Sequence, residues 1–265
     1  MTTPNRVALI TGASAGIGAC FARHLAAEGH DLLLVARREE RLRELAAELQ
    51  AAHGIRCHIF AADLTDATAP KAIMGYALQQ GLDIDVLINN AGLSGKDGFA
   101  DTPWSALAAE LQLMIVAVTE LAHRVLPGMK AKGFGRIINL SSLAAFSPPG
   151  AGLLYTAIKS YVLDMSQSLD MELKAHGIHV TALCPGFTYS EFHDVMGTRE
   201  AANKLPGILW QQPEAVVQEA WAAVNAGKPV CVPGTVNKLV AATMRPLPVR
   251  LQYYLGKNLN PFEGA

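Results

Sequence analysis

Val7-Ala8-Leu9-Ile10-Thr11-Gly12-Ala13-Ser14-Ala15-Gly16-Ile17-Gly18 is the stretch on which the fold turns. Its unbroken apolar run, Val7 to Ile10, suits a strand covered on both faces, and the glycine-rich turn leads directly into a helical segment, Ala19 to Glu28. Glycine lets the backbone turn sharply and approach a pyrophosphate, while a helix N-terminus offers unpaired N–H groups and a partial positive charge. The spacing is GxxxGxG, not GxGxxG, and no Gly-Lys-Ser/Thr follows, which excludes a P-loop. A tight turn without a ligand is the alternative; the strand before and the helix after favour an anion site.

The alternation continues along the chain. Further β-type runs lie at Leu32 to Val35, His58 to Phe60, Val86 to Ile88, Ile137 to Leu140, Val180 to Cys184 and Val230 to Val232. Between them are helical stretches such as Glu40 to His53, Pro70 to Gln80, Trp104 to Lys132 and Ser160 to His176. Apolar strands separated by amphipathic helices imply an α/β fold, a Rossmann-type doubly wound parallel sheet of about seven strands with helices on both faces. One domain over residues 1–265 is the economical reading, with a lid around 187–212 and a tail after Gly234.

Composition narrows the function classes. The 265 residues carry a formal net charge of -1, with 17% charged and 51% apolar residues, so no basic stripe suggests nucleic acid and no charged tail a membrane surface. A chain of this size buries roughly 70 to 75% of its unfolded surface. Cys20, Cys57, Cys184 and Cys231 form no CxxC pair and read as small buried hydrophobes in a reducing compartment. The start lacks a signal peptide, and no stretch approaches the ~20 uninterrupted apolar residues of a membrane span, so the cytoplasm is expected. None of the eight histidines has close metal-ligand spacing, and no metal is required.

Two further groups carry chemistry. Arg37 stands nineteen residues beyond Gly18, near the place where a carboxylate would bind a ribose 2′-OH; Arg37 and Arg38 suit a 2′-phosphate and favour NADP(H) over NAD(H). Alternatively Arg37, Arg38 and Arg41 are the solvated start of a helix, a reading that fits Arg41 better than the pair. In Leu153-Leu154-Tyr155-Thr156-Ala157-Ile158-Lys159 a phenol and an ammonium lie four residues apart, one helical turn, so both face the same way. A lysine beside a tyrosine lowers the phenol pKa from its usual value of about 10. Ser142, just past the strand Ile137 to Leu140, could hold a substrate oxygen.

These residues together resemble the short-chain dehydrogenase/reductase family, in its single-domain, NADP-preferring branch, over almost the whole chain from Arg6 to about Gly234. Thr11 to Gly18 looks like its cofactor turn, Asn89 to Gly92 its NNAG, Ser142, Tyr155 and Lys159 its catalytic serine and YxxxK, and Cys184-Pro185-Gly186 its post-strand PG. The resemblance implies hydride transfer between NADP(H) and an alcohol/carbonyl pair. Tyr155 would be the acid/base, Lys159 would lower its pKa and bind the nicotinamide ribose, and Ser142 would orient the substrate. Gly12, Ser14, Gly16, Ile17 and Gly18 would hold the pyrophosphate, and Arg37 and Arg38 the 2′-phosphate. Asp63 and Leu64 would border the adenine, Asn90, Ala91 and Gly92 the central cofactor, and Pro185, Gly186, Thr188 and Ser190 the nicotinamide end. A homodimer or homotetramer, built on the helices carrying Leu107 to Arg124 and Tyr155 to Leu173, is also implied; burial within one subunit is the alternative.

One departure stands out. Met114 occupies the place of an asparagine credited in the family with supporting a water-linked proton path to the lysine, and methionine has no strong donor or acceptor. A weakened or rerouted relay is expected, with the backbone carbonyl of residue 114 as a possible holder of water. Around the site Phe99, Leu143, Phe146, Pro148, Pro149, Leu153, Leu154, Phe187, Phe192, Val195, Met196, Leu209 and Trp210 suggest an apolar or aromatic ketone, aldehyde or secondary alcohol, although about half of such residues ordinarily serve packing. Two readings follow: an NADP(H)-dependent carbonyl reductase or alcohol dehydrogenase, and an NADP(H)-binding regulatory or scaffold protein with weak turnover.

Overall fold

A parallel seven-stranded sheet lies at the centre of the computed structural model, which describes residues 5–93, 98–148, 154–191, 206–244 and 248–258. Its strands are β1 (Val7–Thr11), β2 (Asp31–Ala36), β3 (Cys57–Ala61), β4 (Ile84–Asn89), β5 (Gly135–Leu140), β6 (Ile178–Leu183) and, after a two-stranded ribbon of β7 (Phe187–Thr188) and β8 (Trp210–Gln211), β9 (Val230–Cys231). The order is β3-β2-β1-β4-β5-β6-β9, as the alternating pattern requires. Register is set by apolar partners, with Leu9 opposite both Leu33 and Leu87.

Successive side chains of each strand enter opposite cores. Ala8, Ile10, Leu32 and Leu34 pack under α1 (Gly16–Ala27), α2 (Glu39–His53) and α7 (Pro213–Asn225), where Phe21, Leu42 and Val217 meet them. Leu9, Leu33, Leu87 and Ile137 face the other way, toward α3 (Ala69–Gln79), α4 (Trp104–Leu111), α5 (Ala117–Lys132) and α6 (Leu154–Leu173). The C-terminal segment, distinguished in the sequence by its composition, forms α8 (Thr235–Met244) and α9 (Val249–Asn258).

The segment Trp104–Lys132 is a single helical rod, in which one π-helical turn, Gln112–Val116, joins α4 to α5. By length and composition alone its most apolar 18-residue window, with a mean hydropathy of 1.5, could cross a membrane, but Glu110, Gln112, Glu120, His123 and Arg124 interrupt the apolar run along the rod. Its apolar side chains Leu113, Met114, Leu121, Val125 and Met129 are buried in the core against the sheet.

Strand order reverses between β1 and β4, and the glycine turn and Asn89-Asn90-Ala91-Gly92 leave the sheet side by side at that switch point. A buried polar chain secures the neighbouring strands. Asn89 Nδ2 donates to Asn139 Oδ1 at 2.9 Å and to Val118 O at 3.2 Å, and Asn139 Nδ2 donates to Ser166 Oγ at 3.0 Å. These bonds tie β4, β5, α5 and α6 together directly beneath the candidate site. Removing the central amide orphans buried polar groups, so Asn139→Ala should lower unfolding free energy by about 1–3 kcal/mol. Denaturant unfolding measures it; a variant as stable as the parent protein would contradict this role.

Candidate active site

The glycine turn is built against the end of β4. Gly12 has φ +66, and a Cβ there would lie 2.7 Å from Asn90 Nδ2; a methyl at Gly18 would collide with the Gly12 carbonyl oxygen. Asn90 Nδ2 donates to Thr11 O at 2.9 Å and Gly12 O at 3.2 Å, while Thr11 Oγ1 accepts the N–H of Asn90 at 2.9 Å and of Ala91 at 3.1 Å. The Asn90 amide therefore braces the turn. Helix α1 opens at Gly16 with no side-chain cap and no acidic residue in its first turn, so its N-terminal dipole is left for an anion. The side chain of Ile17 packs on the core.

The arginines are arranged differently from the expected pair. Arg38 donates to Ser14 Oγ through Nε at 3.3 Å and Nη2 at 3.1 Å, and its Nη1 lies 2.8 Å from Glu191 Oε2. Arg41, read from sequence as the more solvated residue, reaches the other oxygen of Glu191 at 2.6 Å. Arg37 is turned to Asp63, 3.8 Å away. Asp63 Oδ1 accepts from Thr65 N at 3.0 Å and Thr65 Oγ1 at 2.9 Å, closing the turn after β3, and Leu64 is a core residue. The cationic corner beside the glycine turn thus consists of Arg38 and Arg41, with Ser14 between them and the helix.

At the end of β5 two reciprocal bonds hold α6 in place. Ser141 Oγ donates to Lys159 O at 2.7 Å, and Lys159 Nζ donates to Leu140 O at 2.8 Å. Lys159 is 5% exposed and its Nζ lies 5.5 Å from the Tyr155 ring centre. Ser142 accepts the Ala144 N–H at 3.1 Å, which leaves its hydroxyl proton for the hydrogen bond it makes with the Tyr155 phenol. The structure therefore brings Ser142, Tyr155 and Lys159 together, each on the element that the sequence suggested.

The electrostatics correct one expectation. Burial pushes the Tyr155 phenol up to about 12, the Ser142 hydrogen bond pulls it down, and the Glu110 charge adds to the rise. Burial likewise brings Lys159 down to about 8, opposed by Cys184 and Glu110. Lys159 directs its ammonium, 5.5 Å from the Tyr155 ring centre, to the Leu140 carbonyl, and the effect of burial on the phenol is the larger one.

Glu110 is the residue that sequence reasoning missed. It is 5% exposed in the last turn of α4, and its charge acts on both Tyr155 and Lys159. A lone carboxylate among Leu107, Leu111 and Met114 was the available signal. Met114 is buried, with Sδ 3.6 Å from where a Cβ on Gly92 would stand, and it lies within the π turn, where Ala117 N–H reaches back to Gln112 O. Thr119 Oγ1 donates to Ile115 O at 2.7 Å in the same region.

Beyond β6, Pro185 O accepts the Leu143 N–H at 2.9 Å, and a Cβ on Gly186 would lie 2.6 Å from Asn237 Oδ1, so α8 supports this turn. Thr188 Oγ1 donates to Gly186 O at 3.1 Å. Ser190 lies over Gly16, whose added Cβ would be 3.0 Å from Ser190 Cβ, which puts it beside the glycine turn. Phe187 and Trp210 pack with ring centres 5.6 Å apart, and Tyr189 stacks on Trp210 at 4.8 Å. Phe146 belongs to the core with Leu163 and Cys184, not to a pocket wall, while Phe99 is exposed. Leu143, Pro148, Leu154 and Leu209 are half-buried; Pro149, Leu153, Phe192, Val195 and Met196 lie outside the described residues. Among the described residues no group of three or more His, Cys, Asp or Glu is placed to hold a metal ion.

Comparison with known proteins shows the family. The family model for short chain dehydrogenases matches residues 6–201. A serine 3-dehydrogenase of Agrobacterium fabrum is 40% identical over 206 residues, covering 74% of this chain and 78% of that protein. Among solved structures, a short-chain dehydrogenase from Sphingobium yanoikuyae in complex with NADPH is 33% identical with a TM-score of 0.80, covering 92% of this chain and 96% of the other. The bulky-bulky ketone specific alcohol dehydrogenase from Comamonas testosteroni is 30% identical with a TM-score of 0.76, covering 93% and 96%. The chain belongs to the short-chain dehydrogenase/reductase family of oxidoreductases.

Proposed function

We propose that this protein is an NADP(H)-dependent carbonyl reductase or alcohol dehydrogenase with Tyr155 as its acid/base. The observation that carries the reading is the joint placement of Ser142, Tyr155 and Lys159 at the end of β5, across the switch point from the glycine turn. The donor set fits the cofactor: an uncapped helix N-terminus suits a pyrophosphate, and Arg38, Arg41 and Ser14 suit a 2′-phosphate. Gly12, Gly16, Gly18, Asn90, Ala91 and Gly92 would line its path, with Arg37, Asp63 and Leu64 toward the adenine. Lys159, Pro185, Gly186 and Thr188 would stand toward the nicotinamide.

NADP(H), when bound, supplies or accepts the hydride. In carbonyl reduction Ser142 donates a hydrogen bond to the substrate oxygen, and Tyr155 Oη transfers its proton to that oxygen as negative charge builds on it. A phenol pushed up to about 12 by burial is protonated at neutral pH, the form that carbonyl reduction requires. The Lys159 ammonium, one turn away, then stabilises the phenolate left behind. Oxidation reverses these roles.

For the substrate we infer a bulky apolar ketone, aldehyde or secondary alcohol. Phe187, Tyr189 and Trp210 form an aromatic cluster on the ribbon that borders the site. The ketone-specific neighbour from Comamonas testosteroni supports this class. The exposed Val116 and Met171, with Tyr161, are consistent with a homodimer or homotetramer built on α5 and α6. Four unpaired cysteines suit a reducing cytoplasm.

Following reduced-nicotinamide absorbance with NADPH or NADH against a panel of bulky ketones and aldehydes tests the proposal. NADPH should be oxidised faster than NADH by several members, and Tyr155→Phe should abolish turnover while NADPH still binds. NADPH binding without oxidation by any carbonyl would support a binding protein instead; ordinary activity in Tyr155→Phe would overturn the acid/base assignment.

A further inference from the structure

The cationic corner already holds an anion from the chain itself. Glu191 places one carboxylate oxygen 2.8 Å from Arg38 Nη1 and the other 2.6 Å from Arg41 Nη1, bridging two guanidinium groups. The two residues before it are held in place: Tyr189 N–H donates to Gln211 O at 3.0 Å, and Ser190 rests over Gly16. Arg38 simultaneously donates to Ser14 of the glycine turn. The carboxylate therefore occupies the donors that a 2′-phosphate needs.

We infer that Glu191 competes with the 2′-phosphate for Arg38 and Arg41 and thereby sets how strongly the site discriminates NADP(H) from NAD(H). This rests on the NADP(H) reading. Competition follows from charge and valence. A phosphate monoester brings close to two negative charges and three acceptor oxygens, whereas Glu191 brings one charge and two oxygens, so the phosphate displaces it. A 2′-hydroxyl has no such charge, and a cofactor lacking the phosphate binds with the Glu191 bridge intact. Glu191 thus weakens one cofactor and leaves the other unaffected, restraining a preference that the arginines alone would make larger.

The surroundings make the exchange feasible. All three side chains are about half exposed (45%, 47% and 44%), so each keeps access to water when the bridge opens. Beside them lies a cavity of about 400 Å³ lined by Ser14, Arg23, Arg41, Glu44, Glu48 and Glu191. Glu48 is committed to Arg23 at 2.9 Å, which makes it an internal control for a carboxylate in the same cavity that does not bridge Arg38 and Arg41.

Calorimetric titration of the full-length protein with NADP⁺, NAD⁺, 2′,5′-ADP and 5′-AMP provides the test. Exposed ion pairs are individually weak, so Glu191→Gln should bind NADP⁺ and 2′,5′-ADP about two- to tenfold more tightly, with NAD⁺ and 5′-AMP unchanged. Glu48→Gln should leave all four affinities as they are. Unchanged or weaker 2′,5′-ADP binding in Glu191→Gln would overturn the inference, as would equal tightening in Glu48→Gln. NAD⁺ bound as tightly as NADP⁺ by both the parent protein and Glu191→Gln would instead remove the cofactor reading beneath it.

Discussion

The buried ammonium of Lys159 is the constraint around which the site is organised. An unpaired charge in a protein interior is costly, and here the Leu140 carbonyl at the end of β5 compensates it. Ser141 returns the connection by donating to the Lys159 carbonyl, so strand and helix are joined twice within two adjacent residues. Tyr155 is one turn earlier on α6 and Ser142 one residue later on the chain, and both inherit their positions from this junction. The polar chain Asn89–Asn139–Ser166 below it extends the same rigidity to β4, whose following residues brace the glycine turn.

Protonation within this site is set by burial more than by the neighbouring charges. Tyr155 rises and Lys159 falls for the same reason, the loss of water around each charged form. Glu110 opposes the fall of Lys159, since a carboxylate favours a nearby cation. A methionine at position 114 cannot make a strong hydrogen bond, and the carboxylate one turn before it is the acidic group that acts on the lysine from this helix.

Much of this was legible in the sequence because it is local. Strand alternation, the glycine turn and the phenol and ammonium one turn apart each occupy a few consecutive residues, and the seven-stranded sheet and the Ser142–Tyr155–Lys159 cluster followed from them. What escaped is long-range or degenerate in pattern. Arg41 and Glu191 are 150 residues apart, so nothing near Arg41 marks it as more than a solvated helix residue. An apolar run such as Leu111 to Val116 reads identically as α or π helix, and Phe146 reads as pocket or core until Leu163 and Ala241 are seen to pack on it. The direction of the Tyr155 shift was misjudged because proximity to lysine is visible in a sequence and desolvation is not.

The central claim is that a buried, cationic Lys159 supports proton donation by Tyr155, and the pH dependence of kcat for NADPH-driven carbonyl reduction tests it most directly. Lys159 titrates at about 8, so it is charged below that pH and neutral above it. The rate should hold a plateau through neutral pH and fall on the alkaline side, with the fall moved to lower pH in Glu110→Gln, because removing the carboxylate removes a negative charge that favours the cation. A profile that stays flat well above this range, or a Glu110→Gln profile superimposable on that of the parent protein, would contradict the account.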